Sequence, residues 1–87
     1  EDIQVTIQGC KYLYNDFDDL PEEAQRIIAN MMFNLGRPRL SRFLKMKQHV
    51  DNRDFASASL EMKNSKWYRQ VPNRAQRLCD RMFNITT

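Results

Sequence analysis

The residue types that most often perform chemistry in proteins are scarce in this 87-residue chain. It contains one histidine, His49, and two cysteines, Cys10 and Cys79, which lie far apart in sequence. This spacing is not a metal-binding pattern. The shortage of histidine also argues against a Ser-His-Asp or Cys-His catalytic centre. We interpret the cysteines as two buried thiols, with a disulfide bridge as the alternative. The sequence therefore predicts no metal site and no cofactor.

Carboxyl groups are more numerous, and a pair of them facing one cleft could hydrolyse a glycosidic bond. Most of the acids here stand at the starts of predicted helices, where capping and the helix dipole explain them. Glu61 is the acid that lies amid the basic part of the chain, on a helix flank. By residue type alone, Glu61 is a solvated surface residue, and no acid of this chain is predicted to be catalytic.

Aromatic rings and cations occur together in residues 65–77, which read SKWYRQVPNRAQR. The segment holds the only tryptophan, Trp67, next to Tyr68 and among four cations. Such a mixture can stack on bases and contact phosphates. No nucleic-acid recognition signature accompanies it, however, and aromatic residues at a helix junction more often fill a core. We therefore do not expect nucleic acid as a partner.

Charge is distributed unevenly along the chain, whose net charge is +3. Residues 1–23 hold seven acids and one lysine, a net charge of −6, whereas residues 24–87 hold thirteen cations and four acids, a net charge of +9. The basic part should be attracted to polyanions such as nucleic acid, anionic membranes or a bacterial envelope. No apolar run approaches the roughly 18 residues of a membrane span, and the acidic start EDIQ does not read as a signal peptide.

The clearest predicted element is a helix over residues 21–35. Its apolar residues recur at steps of three and four, so they share one face. These residues are Ala24, Ile27, Ile28, Met31, Met32 and Leu35. Asp19 or a neighbour is the expected N-cap, and Pro21 suits the first turn. Gly36 and Pro38 are the expected stop signals.

The remaining chain also favours helices. They are predicted near residues 38–50, near residues 54–63 with Asp54 as N-cap, and from Pro72 onward, with a turn or a single helical turn over residues 64–71. The alternating residues 1–9 also fit a strand, but no other segment alternates to pair with them, so we predict a helix there. The fold class is therefore all-α, in one compact multi-helix domain over residues 1–87.

Two motifs resemble those of the phage-type lysozyme family. The segment SKWYRQVPNRAQR is similar to the S-x-W-Y-x-Q-x-P-N-R-A-x-R segment in the C-terminal lobe of that family. Residues 30–36, NMMFNLG, resemble the family's N-M-x-F-x-x-G helix end, and Phe43 falls where the family has a phenylalanine. The two motifs keep the family's separation. The resemblance is specific over residues 19–83 and faint over residues 1–18.

The resemblance implies that this chain corresponds to the all-α C-terminal lobe of the family. Residues 19–83 would form the lobe core, and residues 1–9 would form the end of the helix that joins the two lobes. The implied activity is hydrolysis of the β-1,4 bond between N-acetylmuramic acid and N-acetylglucosamine in peptidoglycan. The family's catalytic glutamate, with the aspartate and threonine that assist it, belongs to the N-terminal lobe. We therefore expect this chain to contribute one wall of a glycan cleft and to be inactive alone.

The resemblance also implies roles for individual residues. Phe33 would line the lower wall of the glycan cleft, with Asn34 beside it in place of the more usual glutamine. Met46 and Glu61 would occupy positions at which the family has polar substrate contacts, although a methionine loses that hydrogen bond. Arg74 would reach toward the missing N-terminal lobe and pair with its catalytic glutamate.

The same resemblance makes Trp67 a core anchor and Tyr68 a partly exposed neighbour. The expected partners are a peptidoglycan glycan strand and the missing catalytic lobe or a partner chain, with self-association if the covering lobe is absent. The expected setting is secretion or phage lysis of a host, and Asn84-Ile85-Thr86 is a sequon that could carry a glycan in a eukaryotic secretory pathway. The alternative function is a non-enzymatic cationic module that is antibacterial or binds cell walls or membranes.

Overall fold

A computed structural model describes residues 3–85, which fold into seven α-helices and one 3₁₀ turn without any strand. The predicted all-α class is therefore confirmed. The chain divides into two compact units, the first ending at Arg42 and the second beginning at Phe43. No helix within residues 3–85 is long and apolar enough to cross a membrane.

The first unit contains three helices and the 3₁₀ turn. They are α1 (Ile3–Leu13), the 3₁₀ turn (Phe17–Asp19), α2 (Glu22–Leu35) and α3 (Arg37–Leu40). Helix α1 packs against both α2 and α3. The helix predicted for residues 1–9 is confirmed over residues 3–9 and continues to Leu13, while Glu1 and Asp2 lie outside the described residues.

Helix α1 approaches α2 closely at a glycine. Gly9 is buried, and a Cβ added there would lie 3.1 Å from the Cε atom of Met32. All six residues of the predicted apolar face of α2 are buried, as the 3- and 4-residue spacing requires. The first unit therefore has a continuous apolar core between these two helices.

The start of α2 differs from the sequence-based prediction. Asp19 lies in the 3₁₀ turn and does not cap α2, whose N-cap is Pro21 without a side-chain hydrogen bond. The ring of Pro21 fixes its own φ angle just before the helix. The first-turn acids Glu22 and Glu23 complement the positive helix end. Gln25 Nε2 also donates to the carbonyl oxygen of Leu20, at 2.9 Å, and so closes the entry turn.

The second unit contains four helices. They are α4 (Leu44–Asp51), α5 (Phe55–Lys63), α6 (Lys66–Gln70) and α7 (Pro72–Phe83). Helix α5 packs against α4 on one side and α7 on another, and α6 contacts both α5 and α7. The predicted N-cap of α5 is confirmed, because Asp54 Oδ1 accepts a hydrogen bond from the Ser57 N–H at 3.1 Å.

The helix predicted for residues 38–50 is wrong as a single element. The chain forms α3, turns at Ser41 and Arg42, and restarts at α4 after Phe43, whose φ of −81° and ψ of 63° are not helical. Ser41 Oγ donates to the carbonyl oxygen of Pro38, at 2.7 Å, which satisfies a backbone acceptor at the end of the short helix. The restart shifts the buried face, so Leu44 is exposed while Met46 and Val50 face the core.

Trp67 anchors the second unit, as predicted. Its side chain is buried, and its ring meets Phe43 edge to face with the centroids 6.5 Å apart. Ser59, on α5, is also buried and donates from its Oγ to the Cys79 carbonyl oxygen at 2.9 Å, which joins α5 to α7. These contacts hold the short helix α6 and the longer helix α7 on one core.

Both cysteines are free and buried, in agreement with the interpretation of two unbridged thiols. Cys10 belongs to α1 and Cys79 to α7, so each lies within the core of a different unit. Burial raises the pKa of each thiol to about 11, because the thiolate would lose its hydration. The thiols are therefore protonated and poorly nucleophilic at neutral pH.

Candidate functional site

The last turn of α2 presents an aromatic ring and an amide to solvent. Phe33 is 54% exposed because position 33 lies away from the buried stripe that contains Met32 and Leu35. Asn34, beside it, is half-buried, and its Nδ2 donates to both Oδ1 and the carbonyl oxygen of Asn30 at 2.9 Å. An apolar ring face next to an oriented amide can contact a ligand that carries both apolar and hydroxyl surfaces.

Met46 does not present its side chain to a ligand. It is 0% exposed within α4, so the assignment of a substrate contact to Met46 is corrected. The physical reason is the restart of the helix at Leu44, which turns positions 46 and 50 toward the core. A methionine at this position fills apolar space, and its flexible thioether adapts to the surrounding side chains.

Glu61 lies on α5 and is partly exposed. Among residues 3–85, the buried residues of the polar and charged types are Thr6 and Ser59. No aspartate or glutamate of this range is therefore buried. A general acid for glycoside hydrolysis needs an environment that keeps it protonated near neutral pH, and an apolar pocket is the usual one. The described residues offer no such carboxyl pocket. They also contain no group of three or more His, Cys, Asp or Glu side chains arranged to hold a metal.

Arg74 is exposed in the first turn of α7, which contains no acidic residue. A cation at the N-terminus of a helix meets the positive end of the helix dipole, at a typical cost of about 0.3–1 kcal/mol. Pro72 provides the start of the helix, so Arg74 is not needed to begin it. Arg74 therefore gains no stabilisation from the helix dipole at this position.

The junction between α6 and α7 is held by side-chain hydrogen bonds that sequence patterns did not indicate. Tyr68 Oη donates to Gln76 Oε1, and Gln76 Nε2 donates to Asp80 Oδ1 at 3.1 Å. Gln76 and Asp80 are four residues apart, which is a visible helical spacing, but Tyr68 joins them through the tertiary packing of α6 on α7. Tyr68 is half-buried, as predicted for the neighbour of Trp67.

The indole N–H of Trp67 is another feature that the sequence could not reveal. Nε1 is buried and has no hydrogen-bond partner among the described residues. Buried indole N–H groups are usually paired, because an unpaired one loses its bond to water without replacement. Trp67 therefore contributes by apolar packing and by its ring contact with Phe43.

The predicted site residues are distributed over both units. Phe33 and Asn34 are neighbours on α2 of the first unit. Met46, Glu61 and Arg74 stand on α4, α5 and α7 of the second unit. Four of the five residues have side chains that reach solvent at least in part, and Met46 is the exception.

Comparison with known proteins finds relatives named as lysozymes and peptidoglycan hydrolases. The chain is 30% identical over 73 residues to "Probable T4-type lysozyme 2" of Dictyostelium discoideum, a match of 84% of this chain and 43% of the relative. It is 33% identical over 66 residues to "Probable T4-type lysozyme 1" of the same organism, covering 76% of this chain and 37% of the relative.

A third relative is "Peptidoglycan hydrolase gp36" of Pseudomonas phage phiKMV, at 34% identity over 55 residues. This match covers 63% of the present chain and 6% of the phage protein. No family model matches the chain, and no solved structure matches it significantly. The chain spans less than half the length of the curated relatives it matches. Its two motifs, its all-α fold and these relatives together show that the chain belongs to the phage-type lysozyme family.

Proposed function

We propose that this chain serves as the C-terminal helical lobe of a phage-type lysozyme that hydrolyses the β-1,4 bonds of peptidoglycan. In this role it supplies one wall of the glycan cleft and no catalytic acid. The observation that carries the proposal is the exposed ring of Phe33 beside Asn34, within a motif shared with a lysozyme family. Residues 1–9 correspond in this proposal to the end of the helix that joins two lobes.

Phe33 acts by contact with the apolar face of a sugar ring. A phenyl ring that is already exposed on a helix needs no uncovering to receive such a face. The Asn34 amide is oriented by Asn30 and can exchange hydrogen bonds with sugar hydroxyls. Glu61 contributes a partly exposed carboxylate on the second unit that can accept a hydrogen bond from the glycan.

Hydrolysis itself requires a carboxylic acid that protonates the leaving oxygen and a group that assists attack at the anomeric carbon. No carboxylate within residues 3–85 is buried in an apolar environment, which supports the proposal that the catalytic glutamate lies outside this lobe. Arg74 is proposed to pair with that glutamate. Arg74 is exposed, and a guanidinium can bind a carboxylate through two parallel hydrogen bonds.

The cleft is tested by the binding of the purified chain to insoluble peptidoglycan. Phe33→Ala should weaken binding by roughly two- to twelvefold, since an aromatic contact contributes about 0.5–1.5 kcal/mol. Phe83→Ala is the matched control, because Phe83 is 57% exposed at the end of α7 and has no assigned role. Equal losses in the two variants would contradict a specific wall at Phe33.

The catalytic part of the proposal is tested by the release of reducing sugar from the same substrate. The 87-residue chain alone should release none above background, because no carboxylate among its described residues is buried in an apolar environment that would keep it protonated near neutral pH. Activity of the chain alone would show that a catalytic carboxylate lies within it, and the proposed division between the lobes would then be wrong.

A further inference from the structure

One asparagine of the chain differs from the others in its sequence context. The chain contains seven asparagines, and Asn84 alone has a hydroxyl residue two positions later, in Asn84-Ile85-Thr86. Thr86 lies outside the residues that the structure describes, and its identity comes from the sequence. The role of Asn84 as an acceptor is independent of the proposed lysozyme function.

Asn84 stands at the end of α7 in an exposed position. It is the C-cap residue, with φ −88° and ψ 1°, and the following Ile85 is outside the helix. An acceptor asparagine must enter an enzyme site together with the two residues that follow it, which a continuing helix would prevent. The helix end therefore leaves the side chain of Asn84 exposed, and the backbone N–H of Ile85 makes only a 3.3 Å bond, to the carbonyl oxygen of Met82.

Two other asparagines provide a comparison within the same chain. Asn52 is the exposed C-cap of α4, with φ −89° and ψ 2°, and Asn64 is the exposed C-cap of α5, with φ −91° and ψ 43°. The residues two positions later are Asp54 and Lys66. Three helices thus end in similar exposed asparagines, but only the last one carries the hydroxyl residue that the modification requires.

The folded structure can retain its local hydrogen bond after modification. Asn84 Nδ2 donates to the carbonyl oxygen of Asp80 at 2.8 Å. A primary amide has two N–H groups, and replacement of one hydrogen by a sugar leaves the other available to Asp80. A glycan at Asn84 would project from an exposed helix end, so it does not require a buried side chain to move.

We propose that Asn84 is an N-glycosylation site whose donor is a polyprenyl diphosphate-linked oligosaccharide. The amide nitrogen attacks C1 of the first sugar, a C–N bond forms, and the C–O bond to the diphosphate breaks. The polyprenyl diphosphate leaves with the electron pair of that bond, and the amide nitrogen loses one proton to the surrounding solvent. No oxidant or reductant takes part.

The test is secretion of the chain from eukaryotic cells with an added signal peptide, followed by peptide mass spectrometry. The expected result is an oligosaccharide on the peptide that contains Asn84, removed by peptide N-glycosidase with conversion of the asparagine to aspartate. Asn84→Gln and Thr86→Ala should each abolish it. Thr86→Ala leaves Asn84 itself in place, so loss in this variant reports on the hydroxyl requirement.

A second variant tests whether the cells can modify a helix end of this protein. Asn84→Gln combined with Lys66→Thr transfers the hydroxyl requirement to Asn64, which should then carry the glycan. A secreted wild-type chain with unmodified Asn84 overturns the proposal, and modification of the double variant in the same cells would exclude an inactive pathway as the cause. A glycan that persists on the chain after Asn84→Gln alone would also overturn the assignment.

Discussion

Gly36 illustrates how a single residue controls the exit from a helix. It follows α2 with φ +79° and ψ 162°, a combination that side chains with a Cβ atom rarely adopt. Its N–H donates to the carbonyl oxygen of Met32 at 2.8 Å, and α3 begins at the next residue. The sequence predicted a stop at Gly36, and the positive φ gives the physical reason why glycine is needed.

Replacement of Gly36 by alanine should destabilise the protein by about 1–3 kcal/mol, because an alanine at this positive φ is strained. The added methyl group gains nothing in packing. Gly9→Ala is the matched control at a helical position, where the new Cβ meets the flexible end of Met32. We expect its effect to be smaller, since the gain in helix propensity offsets the contact. Urea unfolding measures both, and equal free-energy losses would contradict the role of φ.

The two buried thiols predict a loss of stability in alkali. Cys10 and Cys79 have a pKa of about 11 in the folded chain and an ordinary value of 9.0. Between these values the unfolded chain releases the thiol protons while the folded chain retains them, so rising pH favours unfolding. Their contribution is fully present below pH 9 and is lost as the pH rises toward 11.

This alkaline effect is measured by urea unfolding at a series of pH values from about 8 to 11. The wild type should lose more free energy of unfolding over this range than a variant with Cys10→Ala and Cys79→Ala, because the two proteins differ only in the thiols. Parallel losses in the two proteins would show that the buried thiols do not drive the change.

At the scale of elements, the caps decide where helices begin. Asp54 caps α5, and the pKa of its carboxyl is lowered below the ordinary 3.8, first by the Ser57 side chain and then by the Ser57 N–H, with a smaller effect of His49. A carboxyl with a lowered pKa stabilises the folded state above its ordinary pKa, and this contribution is lost as the pH falls through the folded value.

Asp54→Ala should therefore lower the melting temperature at pH 7, because α5 loses an acceptor for its first N–H groups. Asp54→Asn retains an acceptor oxygen and should preserve most of the stability at pH 7, but it should remove the part of the pH dependence that appears below 3.8. Melting followed by circular dichroism from pH 7 to about 2 compares the three proteins. An unchanged melting temperature in Asp54→Ala would contradict the importance of the cap.

The region of α3 and α4 shows the limit of predicting helices from sequence. Apolar spacing correctly indicated α2, α5 and α7, whose buried residues follow helical steps over nine or more residues. The break between α3 and α4 was missed because Leu40, Phe43 and Val50 also fit one continuous helix. Ser41 and Phe43 interrupt it through a local hydrogen bond and a non-helical backbone, and neither has a strong sequence signature.

At the scale of the whole molecule, charge separates the proposed function from the cationic alternative. Exposed cations of the second unit include Arg77 on α7, in a chain of net charge +3. Attraction of such cations to anionic surfaces is screened by salt, since the Debye length falls from about 14 Å near 0.05 M to about 6 Å near 0.3 M. Binding in a glycan cleft depends mainly on ring contacts and hydrogen bonds, which salt screens little.

We therefore expect binding to peptidoglycan to change less than about twofold over that range of salt, while binding to anionic vesicles falls steeply. Sedimentation with each surface measures both affinities. Arg77→Glu should reduce vesicle binding without affecting the contact of Phe33 with a glycan. If salt and Arg77→Glu weaken both kinds of binding equally, the cationic alternative is favoured.

The sequence by itself determined the all-α class, most helix positions, the burial of Trp67 and the family, because these depend on local periodicity, caps and contiguous motifs. Its resemblance to the family also singled out Phe33, which the structure shows to be exposed, off the apolar stripe of a long and regular helix. Only the tertiary structure decided that Met46 is buried, that Ser59 joins α5 to α7 and that Tyr68 reaches Gln76. These features depend on where a helix restarts and on which side chains two helices bring together, and no local pattern encodes either.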